Sequence, residues 1–148
     1  MSMGVAGHFM SKKGESLGVM ADRQTTLNLR VFPRPSSQRW DGKVVLLIDG
    51  LSASTSEIFA AGMQDLNEAI LVGNTTAGKA LASMVESLPN GDRIQFVIWN
   101  LTRTNGQRIE SEGVTPDHEI QAKPEDFLHG ADPTLRAGIS LLLETGSP

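Results

Sequence analysis

The chain has 148 residues and no cysteine. That excludes disulfides, a thiol nucleophile and Cys-type zinc sites, while fitting any compartment. Basic residues are few and scattered: 13 Lys and Arg against 17 Asp and Glu give a net charge of −4. No Lys/Arg cluster offers phosphates a track, which argues against nucleic acid as a partner. No run approaches the roughly 18 apolar residues that a membrane span needs. The first residues lack a basic start followed by a long apolar region, so no signal peptide is read there. Histidine occurs only as His8, His118 and His129, too far apart in sequence to suggest a three-histidine metal centre. Neither a metal nor a cofactor is therefore expected. Internal repeats and low-complexity tracts are absent as well.

What is present fits one domain over residues 1–148, long enough to bury a real core. The hydrophobic fraction of 39% and the 15 glycines are ordinary for a turn-rich α/β protein. The organising stretch runs from Val44 to Lys79. Val44-Val45-Leu46-Leu47-Ile48 has no polar alternation, which suits a strand buried on both faces. Asp49-Gly50 ends it. Ser52-Ala53-Ser54-Thr55-Ser56-Glu57 opens a helix whose apolar stripe includes Phe59, Met63 and Leu66, and Ala69 to Val72 reads as a second strand. This is a βαβ unit. Its helix N-terminus lies at the carboxyl end of a strand, where open α/β sheets place their chemistry.

Around this unit the pattern is less regular. Gly4 to Phe9 reads as the tail of a helix or turn. Leu27, Leu29 and Val31 alternate with Asn28 and Arg30, so Thr25 to Phe32 is a half-exposed strand. Met84 to Leu88 and Arg93 to Leu101 form a hairpin about Pro89-Asn90-Gly91-Asp92, and Thr104-Asn105-Gly106-Gln107 is a second turn. Asp132-Pro133 caps a last helix with Leu135, Ile139 and Leu142 on one stripe.

Three serines compete at the mouth of the βαβ unit. Ser54-x-x-Glu57 spells a capping box, in which the hydroxyl serves only the helix end. A cap, however, calls for no lysine at a fixed distance. Lys79 ends the small-residue loop Gly73-Asn74-Thr75-Thr76-Ala77-Gly78, directly after the second strand. If the two strands are neighbours, Ser54 and Lys79 meet. A lysine is a poor base at its free pKa of about 10.4, but burial lowers that value and leaves an amine able to take a serine proton. The competing phosphate-gripping role lacks the Gly-x-x-x-x-Gly-Lys-Ser/Thr pattern. A triad of Ser54, Asp117 and His118 is discounted, since adjacent residues of an extended segment point apart and the Gly-x-Ser-x-Gly elbow is missing.

Ser52-Ala53-Ser54-Thr55-Ser56-Glu57-Ile58, Met63-Gln64-Asp65, Gly73 and Thr76-Ala77-Gly78-Lys79 together resemble the S41 peptidases, the C-terminal processing and tail-specific proteases. Gly106, Ile109 and Gly113-Val114-Thr115-Pro116-Asp117 are similar to that family's trailing Gly-Ile/Val-x-Pro-Asp segment. The resemblance implies a ClpP/crotonase-like α/β fold with a mixed sheet. It places Ser54 on the nucleophile, Lys79 on the general base, the Thr55 N–H on one oxyanion donor and Asp65 on a supporting position. Thr76, Gly78 and Ser83 are assigned by the same likeness to substrate binding. Ser83 stands where the family has a glutamine, and Ala80 where it usually has glycine.

The expectation is therefore the C-terminal part of an S41 catalytic domain, lacking a PDZ domain and the upstream Gly-Gly strand that gives the second oxyanion donor. Polypeptides are its expected substrates, the upstream part of the parent chain a partner, and a homo-oligomer is left open. The resemblance implies a periplasmic or otherwise extracytoplasmic parent. The rival expectation is a non-catalytic, protease-like binding domain that has lost turnover with the missing motif. An acyl-CoA enzyme of the crotonase type is a third, which does not explain the Ser54/Lys79 pairing.

Overall fold

The computed structural model describes residues 2–10, 14–128 and 130–144; His129 lies outside them. In chain order the elements are α1 (Ser2–Ala6), β1 (Ser16–Ala21), β2 (Thr26–Arg30), β3 (Val45–Ile48), α2 (Thr55–Asp65), β4 (Ile70–Gly73), β5 (Leu81–Ser87), β6 (Arg93–Thr102), β7 (His118–Glu119), α3 (Pro124–Leu128) and α4 (Pro133–Leu143). The fold is α/β. Its strands divide between a parallel sheet, β3-β4-β7, and an antiparallel sheet, β2-β1-β6-β5.

The βαβ unit forms as its sequence pattern predicts. β3 and β4 pair in parallel from Val45↔Ile70 to Ile48↔Gly73, so both site loops leave the same end of one sheet. α2 crosses between them and also packs on β1, which ties the two sheets together. Ile58, Ala60, Ala61 and Met63 are its buried apolar positions, whereas Phe59 and Leu66 are only partly covered. Leu17, Leu71, Ile109 and Val114 complete this core, each fully buried side chain stabilising the fold by about 1.5–3 kcal/mol.

Burial on both faces of β3 is incomplete. Leu47 is 44% exposed, although α4 comes close to β3 at Gly138, where an added Cβ would stand 2.9 Å from Leu47 Cδ2. Asp132 caps α4 as expected, accepting the Leu135 N–H at 2.9 Å. The stripe of Leu135, Ile139 and Leu142 is exposed rather than buried.

Both predicted turns close. Leu88 and Asp92 exchange a 2.7 Å backbone bond with Gly91 at φ +90°, and Arg103 N–H meets the Gln107 carbonyl at 2.9 Å with Gly106 at φ +85°. The hairpin begins three residues earlier than its apolar pattern suggests, at Leu81, with a register shift between Ala82 and Ser83.

β1 is an internal strand that the pattern does not show. Its sequence, SLGVMA, carries a glycine and no clean alternation. Gly18 is required there, since a Cβ would lie 2.7 Å from the Thr102 carbonyl oxygen of the neighbouring strand.

Gly62 sets the approach of α2 to β1, because an added Cβ would fall 2.4 Å from Leu17 Cα. Gly62→Ala gains up to about 1 kcal/mol of helix propensity but forces the helix off its sheet. The expected net result is a loss of at least about 1 kcal/mol of unfolding free energy, read as a lower denaturant midpoint at unchanged slope.

Candidate active site

The turn from β3 into α2 separates the three serines. Asp49 Oδ1 accepts the Leu51 N–H, the Ser52 N–H and the Ser52 hydroxyl at 3.0, 2.9 and 3.0 Å, so Ser52 is spent on the turn. Ser56 lies in the first turn of α2. Ser54 occupies the N-cap with φ +58° and ψ −121°. A non-glycine residue in that region costs about 1–3 kcal/mol and persists where its surroundings hold it, as at the strained turns that present nucleophiles. The Gly-x-Ser-x-Gly motif is absent, yet the strained strand-to-helix serine is present. Ser54 and Glu57 are arranged as a capping box whose strong half is the carboxylate: Ser54 N–H donates to Glu57 Oε2 at 2.9 Å.

Glu57 is fully buried, and its role extends well beyond the helix end. Besides the Ser54 N–H it accepts the Thr76 hydroxyl and the Gly78 N–H on Oε1, the latter at 2.7 Å, and the Lys79 N–H on Oε2 at 2.8 Å. One carboxylate therefore joins the serine turn to the lysine loop. Two backbone bonds run alongside it, Ser54 N–H to the Lys79 carbonyl at 3.0 Å and Ala77 N–H to the Ser52 carbonyl at 2.9 Å. Ser54 and Lys79 are thus neighbours, as parallel adjacent strands require.

The part of the loop that flanks the lysine has no N–H to offer a phosphate. From Thr76 to Ala80 each N–H has an internal acceptor: the Val114 carbonyl, the Ser52 carbonyl, Glu57 twice, and Glu110 Oε2 at 2.7 Å. The phosphate-gripping alternative fails on that count. The Lys79 side chain itself is exposed. Burial, which would suit a lysine base, is not supplied by the described residues. Thr55, at the first helical position, keeps its N–H free of any acceptor among the described residues, as helix N-termini do.

Several expected site residues serve other ends. Thr76 is buried, donating to Glu57 and accepting the Val114 N–H at 2.8 Å. Gly78 is likewise turned inward, with its N–H on Glu57 and its carbonyl on the Ser111 N–H; at φ +63° a Cβ would meet Gly113 N at 3.1 Å. Ser83 sits on exposed β5 and accepts the Gln95 side-chain amide at 2.7 Å. Asp65 ends α2, ten residues or about 15 Å along the axis from its start, where it pairs with Arg103. It touches neither Ser54 nor Lys79, so any support it gives passes through the helix. Asp117 accepts the Gln64 amide at 2.8 Å and the Leu71 N–H at 2.7 Å, and His118 is exposed on β7; neither forms a triad with Ser54.

Two of the motifs that carry the S41 resemblance, the serine turn and the lysine loop, thus lie side by side. Residues 3–120 match the model of peptidase family S41. This chain belongs to that family. Among its relatives, the tail-specific protease of Haemophilus influenzae is 35% identical over 91 residues, 55% of this chain and 13% of that protein. The carboxyl-terminal-processing protease of Picosynechococcus is 30% identical over 106 residues, 71% of this chain and 26% of that protein. The chain therefore spans about a quarter or less of these two curated relatives. A candidate peptidase of Parabacteroides merdae has the same fold with TM-score 0.78 and 26% identity, covering 98% of this chain and 48% of that one. The photosystem II D1 C-terminal processing protease superposes with TM-score 0.68 at 24% identity, over 97% of this chain and 35% of that one. ClpP/crotonase-like architecture and S41 kinship agree with the expectation from sequence.

Glu57 is the residue whose importance the sequence understates, because a glutamate at the third helical position already has a sufficient explanation as a cap. Glu57→Ala removes the acceptor of four donors; the Ser54 N–H keeps the Lys79 carbonyl, and the other three are left around a buried void, each costing about 1–3 kcal/mol when unpaired. We expect unfolding free energy to fall by at least about 3 kcal/mol in chemical denaturation, with Glu57→Gln losing less because one carbonyl acceptor remains.

Proposed function

We propose that this chain supplies the nucleophile, the base and one oxyanion donor of a serine peptidase that cleaves polypeptides through a Ser–Lys dyad. The observation that carries the reading is the strained Ser54, joined through its N–H to the Lys79 carbonyl at 3.0 Å. In the acylation step Ser54 Oγ attacks the scissile carbonyl carbon while its proton passes to a neutral Lys79 amine. The Thr55 N–H holds the developing oxyanion; donors of this kind are worth about 2.7–4 kcal/mol each. Lys79 then protonates the departing amine. Water, deprotonated by the same lysine, releases the acyl group from Ser54.

Because Lys79 is exposed, the neutral amine that this chemistry needs requires cover from the docked substrate or from a further part of the catalytic domain. The family resemblance assigns a second oxyanion donor to a Gly-Gly turn of the full catalytic domain. Asp65 is given an indirect role, holding the far end of α2 against Arg103. An extracytoplasmic location for the whole protein is carried over from the family resemblance.

The alternative reading, a protease-like domain that binds polypeptides without cutting them, draws support from the exposed lysine. It also draws support from Ser83, which bonds Gln95 on the open hairpin instead of providing an amide to the lysine.

The full catalytic domain should degrade an unfolded protein with an unstructured tail, while Ser54→Ala and Lys79→Ala should each lower kcat by at least about 10⁴-fold with folding intact. A folded wild type that cuts no such substrate, or an active Lys79→Ala variant, would sink the dyad. In the first case the binding-domain reading takes its place.

A further inference from the structure

The peptide plane between Lys79 and Ala80 is tied at both ends. Its carbonyl oxygen accepts the Ser54 N–H at 3.0 Å, and its N–H donates to Glu110 Oε2 at 2.7 Å. Glu110 belongs to the turn after β6, which closes on itself through Gly113 N–H to the Ile109 carbonyl at 2.8 Å and is anchored by fully buried Ile109. The next residue of the same turn, Ser111, donates its N–H to the Gly78 carbonyl at 2.9 Å and sits at φ +66°. This turn therefore grips the chain on both sides of Lys79. The N–H groups of Gly78, Lys79 and Ala80 end on two carboxylates from separate elements, Glu57 of α2 for the first two and Glu110 for the third.

An exposed lysine has four side-chain torsions and no packing to restrict them, so its protein-imposed direction comes from its Cα–Cβ bond alone. That bond is oriented by the peptide planes before and after it. Glu57 holds the first plane and Glu110 the second. We propose that Glu110 is a positioning residue for Lys79, setting the Lys79–Ala80 plane that also receives the Ser54 N–H. The proposal rests on the reading of Lys79 as the base. Glu110 touches no reacting atom; it acts through the backbone that aims the amine and, through the shared carbonyl, through the turn that presents the nucleophile. Misplacing reacting groups by about 1 Å can cost about 10²-fold in rate.

The test uses the full catalytic domain with Glu110→Ala and Glu110→Gln, read by steady-state kinetics and by hydrogen exchange at the Ala80 amide. Glu110→Ala should lower kcat by about 10–100-fold with KM within about threefold of wild type. It should also speed Ala80 exchange by more than about tenfold without changing exchange at Leu101 in the sheet. Glu110→Gln keeps a carbonyl acceptor and should recover kcat to within about threefold of wild type. Unchanged Ala80 exchange in Glu110→Ala, or no recovery in Glu110→Gln, overturns the proposal. A wild-type enzyme that is active and matched in kcat by Glu110→Ala overturns it while leaving the peptidase reading in place. A wild type that is folded and inert removes the peptidase reading first, and the role given to Glu110 falls with it.

Discussion

A single buried carboxylate holds the candidate site together. Glu57 takes four hydrogen bonds from residues 54, 76, 78 and 79, so the serine turn and the lysine loop share one acceptor. Removing a carboxylate from water is costly unless its lone pairs are occupied, and here donors fill them. The same bonds cover N–H groups of an irregular loop that has no strand partner at those positions. Loop and helix therefore fold as one unit, and the strain at Ser54 is held by a network that extends well beyond its own turn.

Around this clamp the two sheets have separate tasks. The parallel sheet delivers Ser54 and Lys79 to one end, because adjacent parallel strands present their carboxyl termini side by side. The antiparallel sheet supplies a wall for α2 through Leu17 and Gly18, and its last strand runs on into the turn that meets the lysine loop. Thr76 is the second fastening: its hydroxyl donates a hydrogen bond to Glu57 and accepts one from the Val114 N–H, so the trailing Gly-Val-x-Pro-Asp segment is bound to the clamp. At the opposite end of α2, Arg103 joins Asp65 and Gln64, and Gln64 reaches Asp117. The helix is thus pinned by polar contacts at both ends and by apolar ones between them.

At position 83 this chain departs from the family pattern. The serine at position 83 bonds across to Gln95, on an exposed hairpin with a register shift one residue earlier. The lysine that a glutamine would steer is left to its backbone supports. Kinship to S41 peptidases is secure over residues 3–120.

By itself the sequence determined the βαβ unit, the hairpin, the capped last helix and the family. The reason is that a continuous branched apolar run, turn residues with positive φ and an Asp-Pro start are local signals that need no partner to be read. It also singled out Ser54 and Lys79 as a pair. Only the tertiary structure decided what surrounds them. β1 escaped notice because its glycine answers a clash with the neighbouring strand, a long-range demand. The bonds that hold Thr76 and Gly78 are not legible along the chain, since their partners, Glu57, Ser111 and Val114, lie 19 to 38 residues away. Nor is the grip of Glu110 on Ala80 legible in any spacing. Hydrogen-bond satisfaction in a buried loop is settled by whichever groups folding brings within reach, and periodicity carries no trace of it.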